Sequence, residues 1–168
     1  RVGVFVEDEL IETDALENSD TARVCQVIQQ AYAPLRNHDD ASVLLASTNP
    51  AISDSLAKQV QQSTGKEVWR VGKDLPIPIG LQLDPETIVG EDRLLNAAAA
   101  YDVLKQACVV VDAGTAMTVD FVDGAGTFHG GAICAGGQMM LDALAKRAAQ
   151  LPELELYQPD SPMGHSTG

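Results

Sequence analysis

An α/β fold is predicted for this 168-residue chain by three features of its sequence. Short runs of β-branched residues alternate with stretches whose apolar residues recur every three or four positions. A strand, an acidic turn and a second strand occur in that order twice, in VGVFVEDELIET (2–13) and in VDFVDGAGTFHGG (119–131). Apolar residues make up 45% of the chain, enough for a sizeable core.

RVGVFV (1–6) alternates as a strand does, Glu7-Asp8-Glu9 turns the chain, and LIETDAL (10–16) continues extended. Ser19-Asp20 supplies N-cap chemistry for a helix reaching about Leu35, with Val24, Val27, Ile28 and Ala31 on one face. SVLLAS (42–47) reads as a short buried strand. Asn49-Pro50 then caps and starts a helix bearing Ile52, Leu56 and Val60 on its face. KEVWRV (66–71) is another strand. Strands alternating with helices in this way imply a largely parallel sheet with helices on its faces. In DLPIPIGL (74–81) two prolines remove backbone donors, which leaves an extended connector. Asp84-Pro85-Glu86 begins a helical stretch through 105, bent near Gly90. A strand over 108–112, a turn at Asp112-Ala113-Gly114-Thr115 and a strand over 115–122 follow. After a turn at 123–126 come a strand over 127–134 and a helix opened by Gly136-Gly137, through about Gln150.

The repeat has a consequence for organisation. In the second unit an Asp-Ala-Gly-Thr loop precedes the hairpin, so a matching loop is expected before Arg1. The chain is therefore read as a first domain over 1–107, lacking its first strand and loop, and the first part of a second domain over 108–168.

The formal net charge is −13 and no Lys/Arg cluster is present, which argues against a nucleic-acid partner. Cys25, Cys108 and Cys134 are widely spaced and odd in number, and fit reduced cytosolic thiols better than a disulfide framework or a zinc site. No apolar run has the length of a membrane span and no signal-peptide pattern opens the chain, so a cytoplasmic protein without a membrane partner is expected.

Three stretches point to chemistry. The turn at 112–115 brings a carboxylate, a hydroxyl and backbone N–H groups together. Gly114 admits a ligand close to the backbone, Thr115 can bond a phosphate oxygen, and Asp112 can hold a cation that bridges to phosphate. The alternative is an Asx-type turn in which Asp112 bonds its own backbone. GEDRLLN (90–96) places Asp92 and Arg93 in the first turn of a helix. Asp92 there suits the helix dipole, whereas Arg93 sits at its unfavourable end, which calls for a partner. That partner is either a substrate anion or a neighbouring carboxylate, Glu91 or Asp84. GGAICAGG (130–137) leads a strand into a helix N-terminus and serves either an anion or close helix–strand packing.

Taken together, VVVDAGTAMTVDFVDGAGTFHGGAICAGG, GEDRLLNAAAAY and AKRAAQLPELEL resemble the type III pantothenate kinase family over essentially the whole chain. SVLLASTNP fits the family's strand-to-helix segment more loosely, and MGHST (163–167) is similar to the start of a later element. The resemblance implies duplicated ribonuclease-H-like domains of the actin-like ATPase fold, the second incomplete here. It implies ATP-dependent phosphorylation of the pantothenate hydroxyl, the first step toward coenzyme A, by a homodimer. ATP with Mg2+ and a monovalent cation, K+ or NH4+, are the implied cofactors.

By the same resemblance, Gly90, Glu91, Asp92 and Arg93 would contact pantothenate, with Asp92 as the base at its primary hydroxyl. Asp112 would bind the monovalent cation, and Gly114 and Thr115 the nucleotide phosphates. The family's first phosphate loop, Asp-x-Gly-Asn-Thr, and much of its second domain are not in this sequence, so the chain by itself is expected to be inactive. Leu83 stands where a Tyr is frequent and Ala135 where Pro is usual. Two rival functions use the same fold: a non-catalytic accessory factor in transcription, and another actin-like small-molecule kinase or phosphatase. The joint presence of Asp92, Arg93, Asp112 and Thr115 argues against the first, and Gly-Glu-Asp-Arg after the proline connector disfavours the second.

Overall fold

In the computed structural model, which describes residues 1–7, 9–16, 20–38, 40–148 and 150–158, short polar side chains start the first two helices. The Asp20 carboxylate accepts from Arg23 N at 2.9 Å and opens α1 (Thr21–Tyr32). Asn49 Oδ1 accepts from Ile52 N at 3.4 Å and opens α2 (Pro50–Thr64), which Gly65 closes in the left-handed region at φ 72°. Ser19 and the 163–167 stretch lie outside the described residues.

The chain divides into two compact units, 1–77 and 78–168. In the first, β1 (Val2–Val6) and β2 (Glu9–Asp14) form an antiparallel pair with an irregularity at Val4/Phe5. β3 (Val43–Leu45) and β4 (Val68–Arg70) pair in parallel, with α2 as the crossover between them. Val24, Val27, Tyr32 and Val60 are its buried core residues, contributed by the facing sides of α1 and α2.

In the second unit a four-stranded sheet has the order β5 (Gly80–Leu81), β8 (Thr127–Ala135), β7 (Ala116–Val122), β6 (Cys108–Ala113). Only β5 runs parallel to its neighbour; β6, β7 and β8 are antiparallel. The expected largely parallel sheet is thus confined to the β3–β4 pair and the β5 edge. The physical reason is connection length. A parallel pair needs a crossover of a dozen or more residues, and the turns at 114–115 and 123–126 are too short for one. The proline-rich connector likewise ends in β5, at the sheet edge where a missing donor is tolerated.

The helix expected over 84–105 begins later. Thr87 N donates to Asp84 O at 2.9 Å in a turn, and residues 88–90 lie outside any helix or strand. Gly90, at φ −62° and ψ 139°, is then the N-cap of α3 (Glu91–Leu104) rather than a bend within it. Glycine is a poor helix former, and Val89 packs against the core instead of joining the helix. That core is Ala97, Val122 and Phe128, each 0% exposed, with Leu94 and Tyr101 of α3 packed around them. Leu94, Ala97 and Tyr101 share one helix face by their three- and four-residue spacing. Leu83 packs against the same cluster. α4 (Gly137–Arg147) follows β8. Among the described residues, no helix is long and apolar enough to cross a membrane.

Asp123 organises the β7–β8 turn. Its Oδ1 accepts from Ala125 N and Thr127 N, both at 2.9 Å, and its Oδ2 lies 2.8 Å from His129 Nε2. The His129 hydrogen bond, reinforced by the Thr127 N–H, draws the Asp123 pKa down from 3.8 to about 2. A depressed folded-state pKa means that the turn's contribution is present above the ordinary carboxylate range and is lost as the pH falls through about 2. Urea unfolding of Asp123→Asn should therefore show lower stability than the parent at neutral pH. The gap should shrink between pH 4 and pH 2; a gap independent of pH would contradict this account.

Candidate active site

The side-chain alternation of β6 and β7 decides which groups meet. Asp112 is paired directly across from Thr118, and Val110 across from Asp120. Opposed residues share a face, as do residues two apart, so Asp112, Thr118, Asp120 and Val122 all point to one side. That side is covered by α3: Thr118 is 8% exposed, Asp120 2% and Val122 0%. On the other face Val109, Val111, Val119 and Phe121 are exposed. The apolar stripe most visible in the sequence is therefore the outer one.

Arg93, in the first turn of α3, reaches down to this polar row. Its Nε donates to both carboxylate oxygens of Asp120 at 3.1 Å, and its Nη2 donates to Asp120 Oδ1. The guanidinium also lies over the Phe128 ring, 5.9 Å from its centre. Hydrogen bonding to Asp120 raises the Arg93 pKa against the opposing effect of burial, so the charge is retained. The partner of Arg93 is thus Asp120, and neither Glu91 nor Asp84. At the third helical position the side chain projects toward the sheet, where β7 supplies the carboxylate.

One turn along from Asp92 on the same helix face, Asn96 Nδ2 donates to Asp112 Oδ2 at 3.0 Å. Asp112 lies within β6 itself, two residues before the turn, which is formed by Gly114 and Thr115. Its carboxylate bonds α3 rather than closing an Asx turn on its own backbone. Asp92 is exposed, with Oδ1 accepting from Arg93 N at 2.9 Å in the helix's first turn. Its other oxygen remains open to solvent among the described residues. Gly90 is exposed and Glu91 half-buried at the same helix start.

Gly114 and Thr115 are exposed at the tip of the β6–β7 hairpin. Behind them the start of α4 comes very close. Gly136 N donates to Thr115 O at 2.9 Å, and a Cβ on Gly136 would lie 2.0 Å from Gly114 O. Gly136 thus answers to close packing, which sets the hairpin tip beside the N-terminus of α4. Gly131 makes a second close approach: a Cβ there would lie 2.6 Å from Asp120 Oδ1. Sequence reasoning missed Asp120 and Asn96. The available signal was an unpaired Arg93 together with a carboxylate inside an otherwise apolar strand.

Among the described residues, no three His, Cys, Asp or Glu side chains gather as a metal cage. The site instead offers single carboxylates and backbone oxygens, a donor set that suits a hard cation shared with water and phosphate.

Comparison with known proteins matches the family described as type III pantothenate kinase to residues 1–168. A type III pantothenate kinase of Rhodospirillum centenum is 36% identical over 159 residues, covering 94% of this chain and 60% of that protein. One of Ruegeria pomeroyi is 37% identical over 152 residues, covering 87% and 59% respectively. One of Anaeromyxobacter sp. is 35% identical over 127 residues, covering 76% and 50%. The chain thus spans 50–60% of the length of these relatives.

Gly131→Ala tests the packing of this polar row. Its new methyl would meet Val119 O at 2.0 Å as well as the Asp120 carboxylate. A loss of about 1–3 kcal/mol in denaturant unfolding is expected, as for overpacking elsewhere. Unchanged stability would show that β8 can move away from Asp120 at little cost.

Proposed function

The chain belongs to the type III pantothenate kinase family, and on that premise we propose that the whole protein phosphorylates pantothenate with ATP. The product is 4′-phosphopantothenate and the reaction is the first step toward coenzyme A. The observation that supports this reading most directly is the joining of the two motifs. Asn96 bonds Asp112, and Arg93 bonds Asp120, so the Gly-Glu-Asp-Arg helix start is held against the strand of Asp-Ala-Gly-Thr.

In this reading Asp92 accepts the proton of the pantothenate primary hydroxyl, using the carboxylate oxygen its helix start leaves open. Phosphoryl transfer passes through a loose transition state in which the alcohol proton leaves late, so a carboxylate of ordinary basicity is sufficient. Gly90, Glu91 and Arg93 hold the substrate around that hydroxyl. Gly114 and Thr115, at the exposed hairpin tip, receive the nucleotide phosphates, with the Thr115 hydroxyl as the side-chain donor; the Gly114 N–H is itself taken by Ala116 O at 2.9 Å. Asp112 offers a carboxylate oxygen to a monovalent cation, K+ or NH4+, while Asn96 orients the group by its other oxygen. Mg2+ accompanies ATP, and the bound cations neutralise phosphate charge that an acidic protein would otherwise repel. The proposal extends to a cytoplasmic homodimer of two ribonuclease-H-like domains, of which 1–107 and 108–168 are parts.

The test is mass-spectrometric detection of phosphopantothenate formed by the whole protein with ATP, magnesium and potassium. Product from the parent is expected, with kcat reduced by about 100-fold or more in Asp92→Asn. Product from both would leave the kinase and remove Asp92 from its role. No product from a folded parent would favour a non-catalytic relative of the same fold.

A further inference from the structure

We propose that Asp120 is a positioning residue that fixes the Arg93 guanidinium for the substrate; the inference rests on the kinase reading above. The contact is side-on. Nε and Nη2 of Arg93 are committed to the Asp120 carboxylate, and Nη1 is the guanidinium nitrogen left uncommitted to it. Such a fork has little rotational freedom, so the direction in which Nη1 presents its N–H groups is set by Asp120.

The surroundings are built around this contact. Asp120 is 2% exposed on β7. β8 contributes Gly131, whose lack of a side chain leaves room for Asp120 Oδ1, and Phe128, whose ring lies beneath the guanidinium. α3 contributes Arg93 from the same turn as Asp92. Three elements thus converge on one side chain's orientation, directly beside the group assigned as proton acceptor.

Stability alone does not account for the arrangement. A buried ion pair loses in desolvation much of what it gains in attraction, and apolar residues of similar volume often serve a core as well or better. What the pair provides and apolar residues cannot is a charged, directed donor at the helix start. Because the Asp120 charge offsets that of Arg93, the substrate meets oriented N–H groups more than net positive charge. The ligand chemistry this suits is a hydroxy-carboxylate, bound through its oxygens while its hydroxyl faces Asp92.

The experiment is steady-state kinetics of the whole protein carrying Asp120→Asn, Arg93→Lys, or both, with folding followed by circular dichroism. Asp120→Asn keeps the shape of the side chain and removes its charge. The expected result is a KM for pantothenate raised by about tenfold with the KM for ATP within about twofold of the parent. Asp120→Asn should add little to Arg93→Lys, because one acts through the other. An unchanged pantothenate KM, or effects that multiply in the double variant, would overturn the role of Asp120 while leaving the kinase reading intact. An inactive, folded parent would overturn both. Should Asp120→Asn fail to fold, Asp120→Glu keeps the charge and Arg93 while displacing the carboxylate by one methylene. That variant, folded and with a raised pantothenate KM, supports the role; folded with the parent KM, it refutes it.

Discussion

The contact of α3 with the inner face of β6 and β7 is the constraint on which the C-terminal unit depends. That face is half apolar and half polar. Val122 and Phe128 meet Leu94, Ala97 and Tyr101 of α3, while Asp120 and Asp112 meet Arg93 and Asn96. The two halves do different work. Fully burying a side chain such as Phe128 contributes about 1.5–3 kcal/mol, whereas a buried ion pair contributes little net stability. The apolar half therefore holds the helix down, and the polar half orients the groups at its start.

This division explains how an exposed site can stand on a firm base. Asp92, Gly114 and Thr115 are exposed, yet each is one or two residues from a group that is packed or bonded to the sheet. Asp92 is followed by Arg93, whose side chain is anchored. Thr115 is tied through its carbonyl to Gly136, where the backbones approach too closely for any side chain. Asp112 is bonded from above by Asn96. The exposed groups are thereby held by neighbours that are packed or bonded, which fixes their geometry in advance of any ligand. The carboxylates also concentrate negative charge at one place, with Arg93 largely consumed by Asp120.

Much of the fold was legible because it is local. Asp20 and Asn49 cap the helices their side chains predict, and the hairpin of β6 and β7 follows from β-branched runs broken at Gly114. The motif residues were legible too, since glycine, carboxylate and hydroxyl in fixed order are a local pattern. Less was visible where two local signals competed. Asp84-Pro85-Glu86 looks like a helix start, but Val89 is drawn to the core and the helix waits for Gly90. Alternation in β7 was correctly read as a strand, but periodicity does not say which face is covered. Val119 and Phe121 are the more apolar choice, and Thr118 and Asp120 are the buried ones.

By itself the sequence determined most of the strands and helices, the caps at Asp20 and Asn49, the hairpin turns of the C-terminal unit, and the family to which the chain belongs. These rest on interactions between residues a few positions apart. Only the tertiary structure decided that Arg93 pairs with Asp120, 27 residues away, and that Asn96 reaches Asp112, 16 residues away. No local preference selects those partners, because several carboxylates lie nearer in sequence. They follow from where α3 comes to rest on the sheet, and that is settled by the shape of the core formed by Ala97, Val122 and Phe128.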